Sequence, residues 1–241
     1  SFDFWASRIG LSDVDREHEL VSLPSPFPFA ENALLAVPTD APEPSDAGYQ
    51  EFLSRFVGDL LELTEGHALV LFTSYEMLRV TYESTRDRLG ELGINSLRQG
   101  EEDRARLLER FNDDTSSVLF ATESFWQGVD APGEALQIVV VCRLPFRVPT
   151  DPVLTARTEL IEAQGGNAFT DLALPEAVMK LRQGFGRLIR RATDRGGVVI
   201  TDVRVLTKPY GVVFLRSLPE TQVSFKSAAG VLEDIERFLY Q

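Results

Sequence analysis

Apolar and polar residues follow two distinct patterns along the chain, one typical of buried strands and one typical of amphipathic helices. Short runs that are apolar at every position, such as 68–72 and 138–142, predict strands that are buried on both faces. Between these runs, apolar residues recur every three or four positions and predict helices. The predicted strands are 68–73, 94–99, 117–122, 136–144 and 197–202, and the predicted helices are 49–63, 75–92, 101–111, 152–163, 175–191 and 231–240.

This alternation predicts an α/β fold with three layers, in which a mainly parallel sheet is covered by helices on both faces. Ligands of such sheets bind beside the carboxyl ends of the strands. The segments that follow the predicted strands are therefore the first place to look for a functional site. They are polar, basic or glycine-bearing, and comprise residues 73–75, 99–100, 123–130, 143–149 and 202–204.

Length and composition narrow the class of protein. The chain has 241 residues, of which 44% are hydrophobic and 25% are charged, as in ordinary globular domains. Its longest apolar runs are too short to cross a bilayer and no secretion signal is visible, so we expect a cytoplasmic protein that binds no membrane. One cysteine, Cys142, and two histidines are too few for the usual zinc sites or for an iron–sulfur cluster, so we expect no metal site.

Positive charge is concentrated in one region of an otherwise acidic chain. The net charge is −13, from 24 basic and 37 acidic residues. Residues 176–208 nevertheless contain eight basic and three acidic residues, which leaves 16 basic and 34 acidic residues in the remainder. A basic region of this kind is either a solvated helix face or a binding site for an anion.

Most of these basic residues lie in or near the predicted helix that precedes the last predicted strand. Its periodicity places Gln183, Arg187 and Arg190 on one face and the apolar residues on the opposite face. Gly184 and Gly186 flank the polar face, although a glycine inside a helix costs about 1 kcal/mol relative to alanine. Such glycines indicate the close approach of a ligand or another surface. Stacked guanidinium groups suit a polyphosphate, and the alternative is an arginine stripe on a solvated helix.

A second candidate segment follows the predicted strand 117–122. It reads Ala121-Thr-Glu-Ser-Phe-Trp-Gln-Gly-Val-Asp-Ala-Pro-Gly133 and holds two glycines and one aspartate. A loop of this kind can bind a phosphate or a sugar, and Asp130 can accept a hydrogen bond from a ribose hydroxyl. Acidic turns after strands are also commonplace. Trp126 fits equally well as a core anchor or as a platform on which a base stacks.

Three motifs, in this order, resemble motifs IV, V and VI of superfamily 2 helicases. They are Leu71-Phe-Thr-Ser-Tyr75, Ala121-Thr-Glu-Ser-Phe-Trp-Gln-Gly-Val-Asp130 and Gln183-Gly-Phe-Gly-Arg-Leu-Ile-Arg190. The resemblance is to the DinG branch of the XPD/DinG family and runs over nearly the whole chain. It implies a RecA-like domain, which in this family is one of two that clamp ATP between them.

The first motor domain of the family supplies a Walker A lysine and an acidic motif, which hold the phosphates and Mg²⁺. The present sequence has no Gly-Lys-Ser/Thr motif, and none of its three lysines follows a glycine. The resemblance therefore implies that residues 1–45 continue from a missing first motor domain and that residues 46–241 form the second. The cofactor would be ATP with Mg²⁺, bound mostly by the missing domain, and any iron–sulfur cluster would also lie outside this segment.

The matching motif positions imply two groups of site residues. Arg187 and Arg190 would reach the γ-phosphate across the interdomain cleft, with Arg190 as an arginine finger, and Gln183 would position the phosphates or the attacking water. The nucleotide-binding residues would be Gly128, Asp130 and Gly186, of which the first two would also couple the nucleotide to the DNA groove. Contacts with the backbone of single-stranded DNA would come from Thr73, Ser74, Tyr75, Thr122, Ser124 and Trp126.

The resemblance thus implies part of an ATP-dependent helicase or translocase that moves 5′ to 3′ on single-stranded DNA in repair or replication. The isolated segment would be inactive, because half of the ATP site is missing. Gln127 departs from the glutamate that is common in the family; an amide there keeps hydrogen bonding but carries no charge. Two other classes stay open, namely a non-catalytic module that binds nucleic acid or a partner protein, and an unrelated nucleotide-binding α/β enzyme. The acidic groups at 101–103 and 113–114 are expected to cap helices.

Overall fold

A computed structural model describes residues 25–122, 125, 136–147 and 152–241, together with residues 6, 9–11, 14, 17, 19–21 and 23. The predictions made for Ser124, Trp126, Gln127, Gly128 and Asp130 therefore lie outside the described residues.

Seven strands form one sheet in the order β3-β4-β2-β5-β6-β1-β7, and neighbouring strands in it run parallel. The five predicted strands are confirmed as β2 to β6, with ends that differ by at most three residues. The strands are β1 Ala33–Pro38, β2 Ala68–Leu71, β3 Asn95–Arg98, β4 Ser117–Ala121, β5 Ile138–Val141, β6 Gly196–Ile200 and β7 Gln222–Lys226.

Helices connect the strands, and two of them begin and end where the sequence predicted. These are α2 (Tyr49–Leu63) and α5 (Pro152–Ala163). The acidic residues at 103 and 114 flank a helix, as expected, and Asp103 accepts hydrogen bonds from two N–H groups of its first turn. The other helices are α1 Phe29–Asn32, α3 Tyr75–Glu91, α4 Arg104–Asp113, α6 Leu174–Phe185, α7 Arg204–Thr207, α8 Gly211–Ser217 and α9 Ala228–Tyr240, and a π-helical segment, Phe169–Ala173, leads into α6.

Alternate residues of the central strands face two separate hydrophobic cores. On one face of the sheet, residues such as Leu34 and Val70 pack with α2, α3 and α9. On the other face, residues such as Leu35 and Leu71 pack with α4, α6 and α8. Each fully buried aliphatic side chain contributes about 1.5–3 kcal/mol. The three-layer α/β fold with a parallel sheet is thereby confirmed.

Two strands were not predicted. Strand β1 belongs to the segment 1–45, yet it lies inside the sheet between β6 and β7. Its apolar run is short and lies between proline-containing stretches, which favoured an irregular interpretation. Strand β7 lies at the sheet edge and buries only Ser224, so its sequence has no apolar run to detect. The sheet of the domain therefore takes in a strand that precedes residue 46.

Candidate functional site

The described site residues form two groups at opposite ends of the strands. We call the side where the strands end the carboxyl edge and the side where they begin the amino edge. Residues 73–75 follow β2 and Thr122 follows β4, so this group lies at the carboxyl edge. Gln183, Gly186, Arg187 and Arg190 lie in the last turn of α6 or between α6 and β6, so this group lies at the amino edge. The carboxyl-edge rule predicts the place of the first group and not that of the second.

Contacts with the starts of neighbouring strands confirm the position of the second group. The side-chain amide of Asn32, the residue before β1, donates a hydrogen bond of 2.9 Å to the carbonyl oxygen of Ala192. Gly197 is the second residue of β6, and its N–H donates to the carbonyl oxygen of Gln137, the residue before β5, at 2.8 Å. The turn with the arginines is thus packed against the amino ends of the central strands.

Helix α6 ends at Phe185, so the prediction of a helix to residue 191 is wrong at this end. Gly186 is the C-cap, and its N–H donates to the carbonyl oxygen of Arg182 at 2.9 Å. Glycines at 184 and 186 weaken the helix, and the chain turns instead of continuing. Arg187 and Arg190 are therefore presented by a turn and do not form a stripe on a helix face.

The turn after α6 is anchored on both sides of Arg190. The N–H groups of Arg190 and Arg191 both donate to Asp194 Oδ2, at 2.8 Å each. Asp194 is itself only 7% exposed, while Leu188 and Ile189 are buried in the core beneath α6. The side chains of Arg187 and Arg190 stay half-buried, and Gln183 is exposed. The backbone is fixed, and the Nε atoms of both arginines are buried.

Gly196 allows this turn to pack against the sheet. A Cβ at Gly196 would overlap the carbonyl oxygen of Gln137 and would lie 2.6 Å from Leu188 Cδ1. Only a residue without a side chain permits β6 to begin so close to the start of β5 and to Leu188. The position of residues 186–191, which we call the arginine turn, therefore depends on a glycine that follows them in the sequence.

At the carboxyl edge, Ser74 begins helix α3. Its Oγ accepts a hydrogen bond of 3.3 Å from the N–H of Met77, which makes it the N-cap of a helix of 17 residues. Ser74 is exposed and Thr73 is half-buried. The first N–H groups of a helix and their partial positive charge favour an anion at this end.

Gln99 links the ends of three strands at this edge. Its Nε2 donates to the hydroxyl oxygen of Tyr75 at 2.7 Å. Its Oε1 accepts from the N–H and from the hydroxyl of Thr122, at 2.7 and 2.9 Å. Because a backbone N–H can only donate, the contact with Thr122 fixes which way the Gln99 amide points. Thr122 is 7% exposed and its hydroxyl is directed to Gln99, so its side chain does not project from the surface.

A buried carboxylate organises the neighbouring loops after β5 and β6. Asp202 is fully buried; its Oδ2 accepts from the N–H of Leu144 at 2.9 Å and from Arg204 Nη2 at 2.6 Å. Its Oδ1 accepts from Arg204 Nε at 2.8 Å. The hydrogen bonds with Asp202 raise the pKa of the Arg204 guanidinium, against the opposing effect of its partial burial. Asp202 thereby holds the two loops together.

The polar groups beneath these loops are structural. Tyr49 donates a hydrogen bond to the carbonyl oxygen of Cys142 and lies 3.1 Å from Thr201 Oγ1. Burial raises the pKa of the Tyr49 hydroxyl well above its usual range and does the same for the Cys142 thiol. Both groups stay protonated at neutral pH, so Cys142 is not a nucleophile.

Sequence reasoning missed the roles of Gln99, Asp194 and Asp202 in holding the site residues. Gln99 and Asp202 do occupy the positions just after strands that the sequence singled out, and that placement was the available signal. Nothing in the sequence identifies which backbone groups Asp194 binds. Among the described residues, no cluster of His, Cys, Asp and Glu has the size of a metal site. In that same part of the chain, no helix is long and apolar enough to cross a bilayer.

Comparisons with known proteins agree with the motifs. Residues 57–221 match the family model described as "Helicase C-terminal domain". The ATP-dependent DNA helicase YoaA of Haemophilus influenzae is 42% identical over 221 residues, which are 92% of this chain and 33% of that protein. The 3′-5′ exonuclease DinG of Bacillus subtilis is 37% identical over 229 residues, which are 93% of this chain and 24% of that protein. The chain thus spans 24–33% of the length of these curated relatives.

Solved structures give the same answer for the fold. Xpd4 of S. tokodaii superposes with a TM-score of 0.56 at 18% identity, over 87% of this chain and 41% of that one. Dbp5 of S. cerevisiae, bound to RNA and ADP BeF3, superposes with a TM-score of 0.55 at 14% identity, over 97% of this chain and 52% of that one. The chain has the RecA-like fold of these domains, and it belongs to the helicase C-terminal domain family, in its DinG/XPD branch.

Proposed function

We propose that this chain is the second motor domain of an ATP-dependent DNA helicase and completes an ATP site in trans of a first motor domain. The observation that carries the proposal is the turn after α6, which presents Arg187 and Arg190 on a backbone held by Asp194. A backbone that is already ordered presents a guanidinium group to a phosphate without the entropy cost of ordering a loop. Relatives that are named ATP-dependent DNA helicases support the same assignment.

In the proposed site, Arg190 is the arginine finger and Arg187 contacts the same terminal phosphate. Gln183, exposed at the end of α6, orients the phosphates or the attacking water. Gly186 leaves the surface beside them open, because it has no side chain. ATP with Mg²⁺ supplies the phosphoryl group, and the lysine and carboxylates that hold it come from the first motor domain. Gly128 and Asp130 belong to the same proposal as the link between nucleotide and DNA.

Single-stranded DNA binds at the carboxyl edge in this proposal. Ser74 and Thr73, at the start of α3, contact phosphates, together with the predicted residues Ser124 and Trp126, which follow β4 in the sequence. Thr122 acts through Gln99, which holds its hydroxyl. Contacts with the DNA backbone suit a motor that moves 5′ to 3′ irrespective of sequence.

The test is ATP hydrolysis by the complete protein, with and without a single-stranded oligonucleotide. We expect DNA to stimulate hydrolysis by at least about tenfold, because the proposed nucleotide and DNA sites lie on the same domain. Hydrolysis absent under both conditions would instead favour a non-catalytic binding module. Hydrolysis that DNA does not stimulate would indicate a nucleotide-using enzyme with another partner.

A further inference from the structure

The environment of Tyr75 suggests a contact different from the one that the motif implies. Tyr75 is 60% exposed, and yet its hydroxyl is directed to Gln99, which is half-buried. The hydroxyl is therefore held by a neighbour while the residue as a whole stays open to solvent. A ring anchored at its hydroxyl loses little rotational freedom when another flat group stacks on it.

The charged side chains next to Tyr75 are paired with one another. Glu76 is the next residue, and hydrogen bonds from Arg79 lower the pKa of its carboxyl group, so it is ionised at neutral pH. Arg79 also donates to Glu83 Oε2 at 2.7 Å, so both of its neighbouring carboxylates are paired with it. This guanidinium is already engaged and is not available to a phosphate beside the ring.

We propose that Tyr75 provides a stacking face for a base of single-stranded nucleic acid and that Gln99 is the positioning residue that orients its ring. This inference rests on the proposed function, since it places a base contact within the proposed DNA surface. It differs from that proposal in the chemistry of the contact, which is base stacking in place of a hydrogen bond to the backbone. Stacking on an aromatic side chain tolerates any sequence, because every base has a flat face.

Gln99 also extends the effect beyond Tyr75. The same amide holds the N–H and hydroxyl of Thr122, the residue that follows β4. Phe125 is buried and its N–H donates to the carbonyl oxygen of Thr122 at 3.0 Å. One side chain therefore holds both the Tyr75 hydroxyl and Thr122, and Thr122 in turn binds Phe125.

The experiment compares two single-stranded probes of equal length, oligodeoxythymidine and an oligonucleotide with abasic sites in place of the bases. The dissociation constant for the abasic strand, divided by that for oligodeoxythymidine, measures how much the bases contribute to binding by the complete protein. For Tyr75→Leu we expect affinity for oligodeoxythymidine to fall by about 5- to 100-fold, in line with stacking energies. Affinity for the abasic strand should stay within about twofold, so the ratio falls.

Two further variants separate the ring from its positioning. Tyr75→Phe keeps the ring and loses the acceptor for Gln99, and Gln99→Leu keeps the ring and loses the donor. Both should lower the ratio by about threefold to tenfold, and combining them should add little. Tyr240→Leu, which alters an exposed tyrosine at the end of α9, is the matched control and should leave the ratio unchanged.

Several outcomes would overturn the inference. If Tyr75→Leu weakens binding to both strands equally, the contact is to the backbone and the stacking face is wrong. If Gln99→Leu leaves the ratio at its wild-type value, Gln99 does not position the ring. A wild-type protein that binds both strands equally would contradict the inference alone, whereas one that binds neither would contradict the proposed function.

Discussion

The two edges of the sheet hold their candidate residues in opposite ways. At the amino edge the backbone is fixed, because Asp194 binds the N–H groups of Arg190 and Arg191, and the arginine side chains extend from it. At the carboxyl edge the side chains themselves are fixed, because Gln99 binds Tyr75 and Thr122 through their polar ends. The amino edge thus orders the backbone that carries its side chains, and the carboxyl edge orders the side chains directly.

The largest expected effect separates the two edges by activity. Arg190→Ala in the complete protein should lower ATP turnover by about 10³-fold or more, because the charge that develops on the phosphates loses its partner. ATP binding should change only a few-fold, and affinity for single-stranded DNA should not change. Steady-state turnover and equilibrium binding measure these separately. Arg191→Ala, the exposed neighbour, is the control, and an equal loss of turnover in it would contradict the assignment.

A second substitution tests the buried support of the carboxyl edge. Asp202→Asn replaces a fully buried acceptor of four hydrogen bonds by a group that turns a donor towards Leu144 or Arg204. We expect a loss of about 2–3 kcal/mol in the free energy of unfolding, seen as a fall of about 5–10 °C in the melting temperature. Asp87→Asn, whose side chain is 86% exposed, should change stability by less than about 0.5 kcal/mol. Equal melting temperatures for both variants would show that Asp202 is not a support.

A third substitution tests the amino edge through packing alone. Gly196→Ala would force the start of β6 away from Gln137 and Leu188, at a cost of about 1–3 kcal/mol in stability. Because Leu188 belongs to the arginine turn, ATP turnover should fall more than DNA affinity does. The control is Gly197→Ala, whose Cβ would meet the flexible end of Ile138 at 3.2 Å and should cost less. Thermal melting with parallel ATPase assays would decide, and a milder effect at 196 than at 197 would refute the packing argument.

The smallest expected effect concerns how the affinity for single-stranded DNA depends on salt, which should differ between the two edges of the sheet. Affinity for single-stranded DNA should fall as salt rises, with a log–log slope of about 0.7 for each phosphate neutralised. The Arg190→Ala protein should keep the wild-type slope, because its altered residue lies at the other edge. Fluorescence anisotropy titrations between about 50 and 200 mM salt measure both slopes. A lower slope in Arg190→Ala would place DNA phosphates near the amino edge and remove the distinction.

Much of the fold could be predicted because the central strands are apolar at every position. Strands of this kind are buried on both faces, and only a parallel sheet covered by two helix layers accommodates them. Strand β7 was not predicted because its residues on both sides of Ser224 are exposed. The end of α6 was predicted wrongly for a different reason. Leu188 and Ile189 continue the apolar period although the helix has stopped, since the turn is buried there as deeply as the helix.

The candidate site could be predicted in its residues and less well in its arrangement. Motif spacing identifies Gln183, Arg187 and Arg190, but it does not reveal that the arginines extend from a turn. The role of Gln99 depends on contacts with residues 24 positions before it and 23 after it. Such pairings follow from strand order in the sheet, which no local pattern specifies.

Strand β6 runs from one edge to the other. The arginine turn enters it at Gly196, and the chain leaves it for Asp202 after about 17 Å of extended backbone. All five of its residues are buried, with β5 on one side and β1 on the other, so it cannot slide or bend by itself. One buried strand therefore joins the two groups of candidate residues. If the domain tilts as a rigid body, the arginine turn and the loop that holds Asp202 move together.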